Sequence, residues 1–116
     1  MFDLIKAYHV KLGYRYENAT LEQRMNALRD NALGLNQEVA ELVDSMPWKP
    51  WRNVDDQPID HDNALREVVD CIFFLVGMCE CMNISGGDVD HRFMHVLNNN
   101  LNRITDGYSN TPDERG

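Results

Sequence analysis

The chain has 116 residues and a formal charge of −8, which is one domain's worth of sequence and too acidic for a general nucleic-acid binder, since that needs a basic stripe. Hydrophobic residues make up 43%, against only seven glycines and four prolines, so a disordered chain is excluded and a helix-rich fold is expected. The most apolar run, Val68 to Met78, carries Asp70 and is too short to cross a bilayer.

The first helix is predicted from Phe2 to Leu12, with Leu4, Ile5 and Val10 among its apolar positions and Gly13 as its stop. No basic leader precedes this apolar stretch, so no signal peptide is expected. The second helix is predicted to begin after Thr20, with Gln23 three residues on as a capping box. Its apolar positions Leu21, Met25, Leu28, Ala32, Leu35, Val39, Leu42 and Met46 alternate spacings of four and three, a long helical seam. Gly34, Glu38, Glu41 and Ser45 form a stripe along one edge of that seam.

Pro47 is expected to stop this helix. The loop Pro47-Trp48-Lys49-Pro50-Trp51-Arg52-Asn53 sets two tryptophans and two bases among prolines, a rigid composition of the kind that functional loops use. An acidic, proline-bearing stretch from Val54 to Asp60 follows. The third helix is predicted from Asp60 or Asp62 to about Met82. Beyond Glu67 it reads as apolar nearly all round, and a helix apolar on every face must be surrounded. Gly77 would permit a close helix approach. A domain this small cannot easily supply the cover, so a second copy of the chain is expected to do so.

Cys71, Cys79 and Cys81 all lie in this segment. Their odd number and the lack of a C-x-x-C spacing exclude a disulfide framework or a zinc site and point to reduced thiols in a cytoplasmic protein. The turn Ser85-Gly86-Gly87-Asp88 precedes a fourth helix predicted over Val89–Thr105, with Asp88 as its N-cap. Phe93, Val96, Leu97, Leu101 and Ile104 form its apolar side. Gly107 is a C-terminal stop, and residues 109–116 read as a flexible tail.

The chemistry is concentrated in two acid pairs, Glu38-Val39-Ala40-Glu41 and Glu67-Val68-Val69-Asp70. Residues at i and i+3 of a helix point to the same side, so each pair converges its carboxylates. One such pair is ordinarily a solvated face. Two pairs beside apolar segments are not, because four acids in such a setting repel one another unless a cation neutralises them. Oxygen ligands at this density suit Mg²⁺, with Mn²⁺ as a substitute, and point to a site that handles phosphate. A di-iron carboxylate centre needs Glu-x-x-His pairs; the positions three after Glu38 and Glu67 are Glu41 and Asp70, so that alternative fails.

Glu-x-x-Glu, 25 residues, then Glu-x-x-Asp resembles the signature of the all-α nucleoside triphosphate pyrophosphohydrolases, the MazG-like enzymes and the dimeric all-α dUTPases. The loop from Pro47 to Arg52 is similar to their Trp-Lys-x-Trp-Lys loop, and Glu67 to Phe74 resembles their Glu-Leu-Val-Asp-x-x-x-Phe segment. Asn98 to Arg103 with Gly107-Tyr108 is similar to their last helix, and Tyr8 to Gly13 resembles the Phe-His-x-x-Phe-Gly opening of some members. Many relatives place a lysine ahead of the asparagine in the last helix, whereas this chain has only asparagines before Arg103.

The resemblance implies a four- to five-helix MazG-like bundle over residues 1–108, completed by assembly into a homodimer or homotetramer. It implies hydrolysis of a nucleoside triphosphate to the monophosphate and pyrophosphate, for nucleotide-pool control in a cell or a virus. Glu38, Glu41, Glu67 and Asp70 would hold one to three Mg²⁺ ions, with Glu38 or Glu41 as general base and Glu38 slightly favoured. Lys49, Arg52 and Arg103 would balance the triphosphate charge, and Asn98 or Asn102 would donate hydrogen bonds. Trp51 would stack on the base or wall the pocket, unless both tryptophans only cap the core. His9 joins the substrate-binding set, although a surface or packing role is the preferred reading over one that reads the base. A dUTPase proper and a non-catalytic oligomeric helical module are the competing readings.

Overall fold

A computed structural model describes residues 1–46 and 59–106. Four helices and no strand occur among them: α1 (Phe2–Lys11), α2 (Leu21–Asp44), α3 (His61–Cys81) and α4 (Gly86–Thr105). The all-α class is as expected. The chain divides into two units, Met1–Asn83 with α1 to α3, and Ile84–Gly116 with α4. No single described helix is long and apolar enough to cross a membrane.

Local chemistry sets the ends of the helices. The Thr20 hydroxyl accepts from the Gln23 amide at 3.1 Å, and the Gln23 side chain accepts from the Thr20 amide at 2.9 Å. These two bonds complete the expected capping box. Asp60 caps α3 by accepting from the Asn63 amide at 3.1 Å. Leu12 closes α1, and Gly13 follows with φ of +97°, a left-handed conformation that glycine adopts without steric cost.

The start of α4 departs from the expectation. Ser85, not Asp88, is the N-cap: its hydroxyl accepts from the Asp88 amide at 3.0 Å, while Asp88 accepts from the Ser85 amide at 2.9 Å. Gly86 and Gly87 thus belong to the first turn. Two reciprocal bonds to otherwise unpaired amides outweigh the poor helix propensity of two glycines. The same bonds hold the Asp88 carboxyl below its ordinary pKa.

In the first unit α3 is the central helix, packed by α2 and by α1. Ile5, Val76 and Cys81 are its buried residues of apolar character. Phe73 meets Tyr8 edge-on, ring centroids 5.7 Å apart, and also meets His9 at 6.1 Å. The predicted apolar seam of α2 is rotated in part from its true contact side. Leu21, Met25 and Val39 are exposed, whereas Leu28, Ala32, Leu35, Leu42 and Met46 of the seam are half-buried together with Asn31, Gly34 and Glu38.

Glycine explains the rotation. A Cβ added at Gly34 would sit 2.4 Å from the Phe74 ring, and one at Gly77 would sit 2.3 Å from Asn31 Oδ1. The two helices meet where side chains are missing, so the glycine-bearing edge of α2 lies against α3. Gly77 thus serves an approach within the chain. Gly34→Ala is expected to lower stability by about 1–3 kcal/mol through overpacking against Phe74. A thermal melt equal to the parent's would show that the ring moves aside freely.

As expected for so small a domain, the described part of the chain does not by itself surround its apolar third helix. α3 is not enclosed: Val68 and Val69 are each 41% exposed and Leu75 48%. Two neighbouring helices cover only part of a helix that is apolar on nearly every side.

Candidate metal centre

Glu38 projects from α2 at its contact with α3, and Glu67 and Asp70 project from the first half of α3. One carboxylate oxygen of each lies within 4.8 Å of the others, and all three residues are half-buried. Two different helices therefore bring one member of the first pair and both of the second to a common centre. Their i,i+3 spacing on α3 and the packing of Gly34 against Phe74, one turn away on each helix, account for this placement.

Electrostatics in the cluster is unfavourable without a cation. Oε2 of Glu38 and Oε2 of Glu67 are buried with no donor among the described residues. When both groups are ionised, two acceptors face each other. Sharing a proton with Glu67 is the largest reason that the Glu38 pKa is raised from 4.5 to about 7; burial and the charges of Glu41 and Asp70 add to it. Cys71, next along α3, has its thiol pKa pushed up, first by burial and then by the three carboxylates. It is a half-buried neighbour of the cluster and not a thiolate ligand.

Orphaned, buried carboxylate oxygens are what a hard divalent cation satisfies, and the donor set is all oxygen. The residues present fit such an ion. Neutral or thiolate donors that would favour zinc are absent from the cluster.

Glu41 is set apart from the other three. It is exposed, its Oε1 accepts from Gln37 Nε2 at 3.4 Å, and its carboxyl interacts with that of Glu38. It stands at the rim of the trio and outside it.

The other expected site residues divide into three groups. Lys49, Trp51 and Arg52 lie outside the described residues. Asn98, Asn102 and Arg103 lie on α4, where Asn98 and Asn102 are one turn apart and exposed and Arg103 is half-buried. His9 lies in the first unit and is not a surface residue: Nδ1 of its nearly buried ring donates to Oε2 of Glu80, whose side chain is only 4% exposed.

Sequence reasoning missed Glu80. It is the lone charge in the apolar stretch that follows Asp70 and the only buried charged residue among those described. An acid in that position needs a partner, and the signal was there to be read. The pair borders a cavity of about 500 Å³ walled by Tyr8, Tyr14, Tyr16, Phe73 and Phe74, with Asn31 also on its wall. Burial, and then the hydrogen bond with Cys81, raise the Tyr16 pKa, so its phenol stays neutral.

A family model described as dUTPase matches residues 9–104, a span that includes both acid pairs. No curated protein and no solved structure matches the chain significantly. The matched span covers most of the sequence, its described residues form helices and no strand, and three of its acids, Glu38, Glu67 and Asp70, converge. The chain belongs to the all-α dUTPase-like family of nucleotide pyrophosphatase-type hydrolases.

Proposed function

We propose that the protein is a Mg²⁺-dependent hydrolase that cleaves a nucleoside triphosphate between its α- and β-phosphates, releasing the monophosphate and pyrophosphate. The observation that carries this is the convergence of Glu38, Glu67 and Asp70, with two buried oxygens lacking a donor among the described residues. The match to a dUTPase description favours dUTP within that class. The wider MazG-like range of nucleotides is the alternative, and the same assay separates them.

Glu38, Glu67 and Asp70 hold the cation in this reading. Bound there, it supplies neutralisation of phosphate charge and lowers the pKa of a coordinated water. Glu41 then remains outside the cation's ligands, an exposed carboxylate beside the trio, and this supports it as the proton acceptor for the attacking water. That choice differs from the slight preference for Glu38 that spacing alone suggests, because Glu38 is drawn into the cation site. Lys49, Arg52, Arg103 and the asparagines of α4 complete the proposed substrate-binding set.

The test is to incubate the protein with each NTP and dNTP and Mg²⁺ and to identify the products. Pyrophosphate with monophosphate is expected; orthophosphate release, or full activity in Glu41→Gln together with Asp70→Asn, would remove the proposal. If Glu41 is the base, Glu41→Gln lowers kcat by about 10²–10⁴-fold and leaves most of the Mg²⁺-induced thermal shift. Loss of that shift would make Glu41 a ligand instead.

The exposed apolar side chains of α3 support a homodimer or homotetramer in which a second copy covers Val68, Val69 and Leu75. Light scattering on the purified protein checks this, and a monomer at working concentration would refute it. The three free cysteines are in keeping with a reducing cytoplasmic setting. A non-catalytic helical module is the remaining reading, and it predicts no stabilisation by Mg²⁺ with nucleotide.

A further inference from the structure

The cavity beside His9 and Glu80 has features that the acid cluster does not explain. Its aromatic walls suit a flat ring, and a few polar groups interrupt them, the usual makeup of a small-molecule site. It also shares its helices with the acids. Asn31 on α2 lies seven residues before Glu38, and Gly77 on α3 lies seven after Asp70. Seven residues of helix are two turns, roughly 10 Å. The contact of Gly77 with Asn31 and that of Gly34 with Phe74 place the cavity and the cluster in series along one antiparallel helix pair. That separation is comparable with the distance from a nucleotide's base to its first phosphates.

His9 is held as a reading group would be. Its Nδ1 is committed to Glu80, so its ring orientation is set, and its Nε2 has no hydrogen-bond partner among the described residues. A buried carboxylate that served only packing would be an expensive choice over an apolar residue.

We propose that this cavity receives the base of the nucleotide, with His9 Nε2 hydrogen-bonding the base edge and Glu80 as the positioning residue that fixes the His9 ring. The inference rests on the phosphate-site reading above for the identity of its ligand class, a planar heteroaromatic base with polar edge atoms. Asn31 adds a second polar atom to the wall. Its Nδ2 donates to Ala27 O at 2.8 Å and to Cys81 Sγ at 3.7 Å, and its Oδ1 packs against Gly77.

Two measurements test the proposal independently of hydrolysis and together with it. Titration with the four deoxynucleosides, which lack phosphate, is expected to shift the NMR signals of His9, Tyr8, Tyr14 and Phe73 for at least one base. No shift for any base would overturn the proposal even if hydrolysis were observed. In kinetics, Glu80→Gln and His9→Gln are expected to raise KM about tenfold for the preferred nucleotide, with kcat within about threefold, and to narrow the discrimination among bases. Both variants are checked for folding by circular dichroism and for an unchanged Mg²⁺-induced thermal shift. Folded variants with the parent's KM and base preference would refute the role of the pair. A parent protein that hydrolyses no nucleotide would refute the proposed function instead, and the nucleoside titration would still decide the cavity.

Discussion

Asp70→Asn and Glu67→Gln are each expected to lower nucleotide hydrolysis by on the order of 10²–10³-fold, the scale seen when one preorganised electrostatic group is removed from an active site. Each variant keeps the shape of the side chain and removes one of three charges converging within 4.8 Å. The loss should appear chiefly as a higher Mg²⁺ requirement, because a cation shared by three carboxylates is held more weakly by two. Raising Mg²⁺ should therefore recover part of the rate in both variants. A rate equal to the parent's at low Mg²⁺ would mean that the trio does not hold the catalytic ion.

The second large effect is on stability, and its sign is opposite to what loss of a functional residue usually brings. In the cation-free protein Glu38 binds its proton up to about pH 7, against 4.5 ordinarily. Between those values the native state holds more protons than the unfolded chain, so stability is full below pH 4.5 and falls as pH rises toward 7. Glu67 is the largest cause of the shift. Glu67→Gln should therefore flatten this part of the pH profile and raise the melting temperature of the cation-free protein at pH 7 by several degrees. Mg²⁺ should raise the parent's melting temperature at pH 7 more than at pH 5, since it binds the ionised cluster. It should raise that of Glu67→Gln much less. Thermal melts at pH 5 and pH 7, with Mg²⁺ or with chelator, check all of this. A parent whose cation-free stability rises from pH 5 to pH 7, after correction for the remaining groups by the variant, would contradict the crowding of acids described here.

These two effects describe one compromise. Under the proposed reading the trio that would hold a cation is a cluster of like charges without it, and the fold bears that repulsion. The apolar contacts of α3 with α1 and α2 offset it, with Phe74 seated against Gly34.

Much of this was legible in the residues. The capping box at Thr20 and the four helices follow from local hydrogen-bonding chemistry and apolar periodicity, which depend only on near neighbours in the chain. The acid pairs could be read because i,i+3 spacing on a helix dictates a shared direction whatever else happens. The cap of α4 was misread because Ser85 and Asp88 both suit an N-cap, and their reciprocal bonding shows only in three dimensions.

What the sequence determined by itself was therefore the helices, the two carboxylate pairs and the chemistry that such pairs imply. The tertiary structure decided which carboxylates meet, leaving Glu41 at the rim. It also turned the glycine edge of α2 toward α3 and gave Glu80 its partner across 71 positions. The reason is geometric: periodicity reports which residues share a side of one helix, while the side that faces a neighbour is chosen by shape, here by two glycines that let backbones approach.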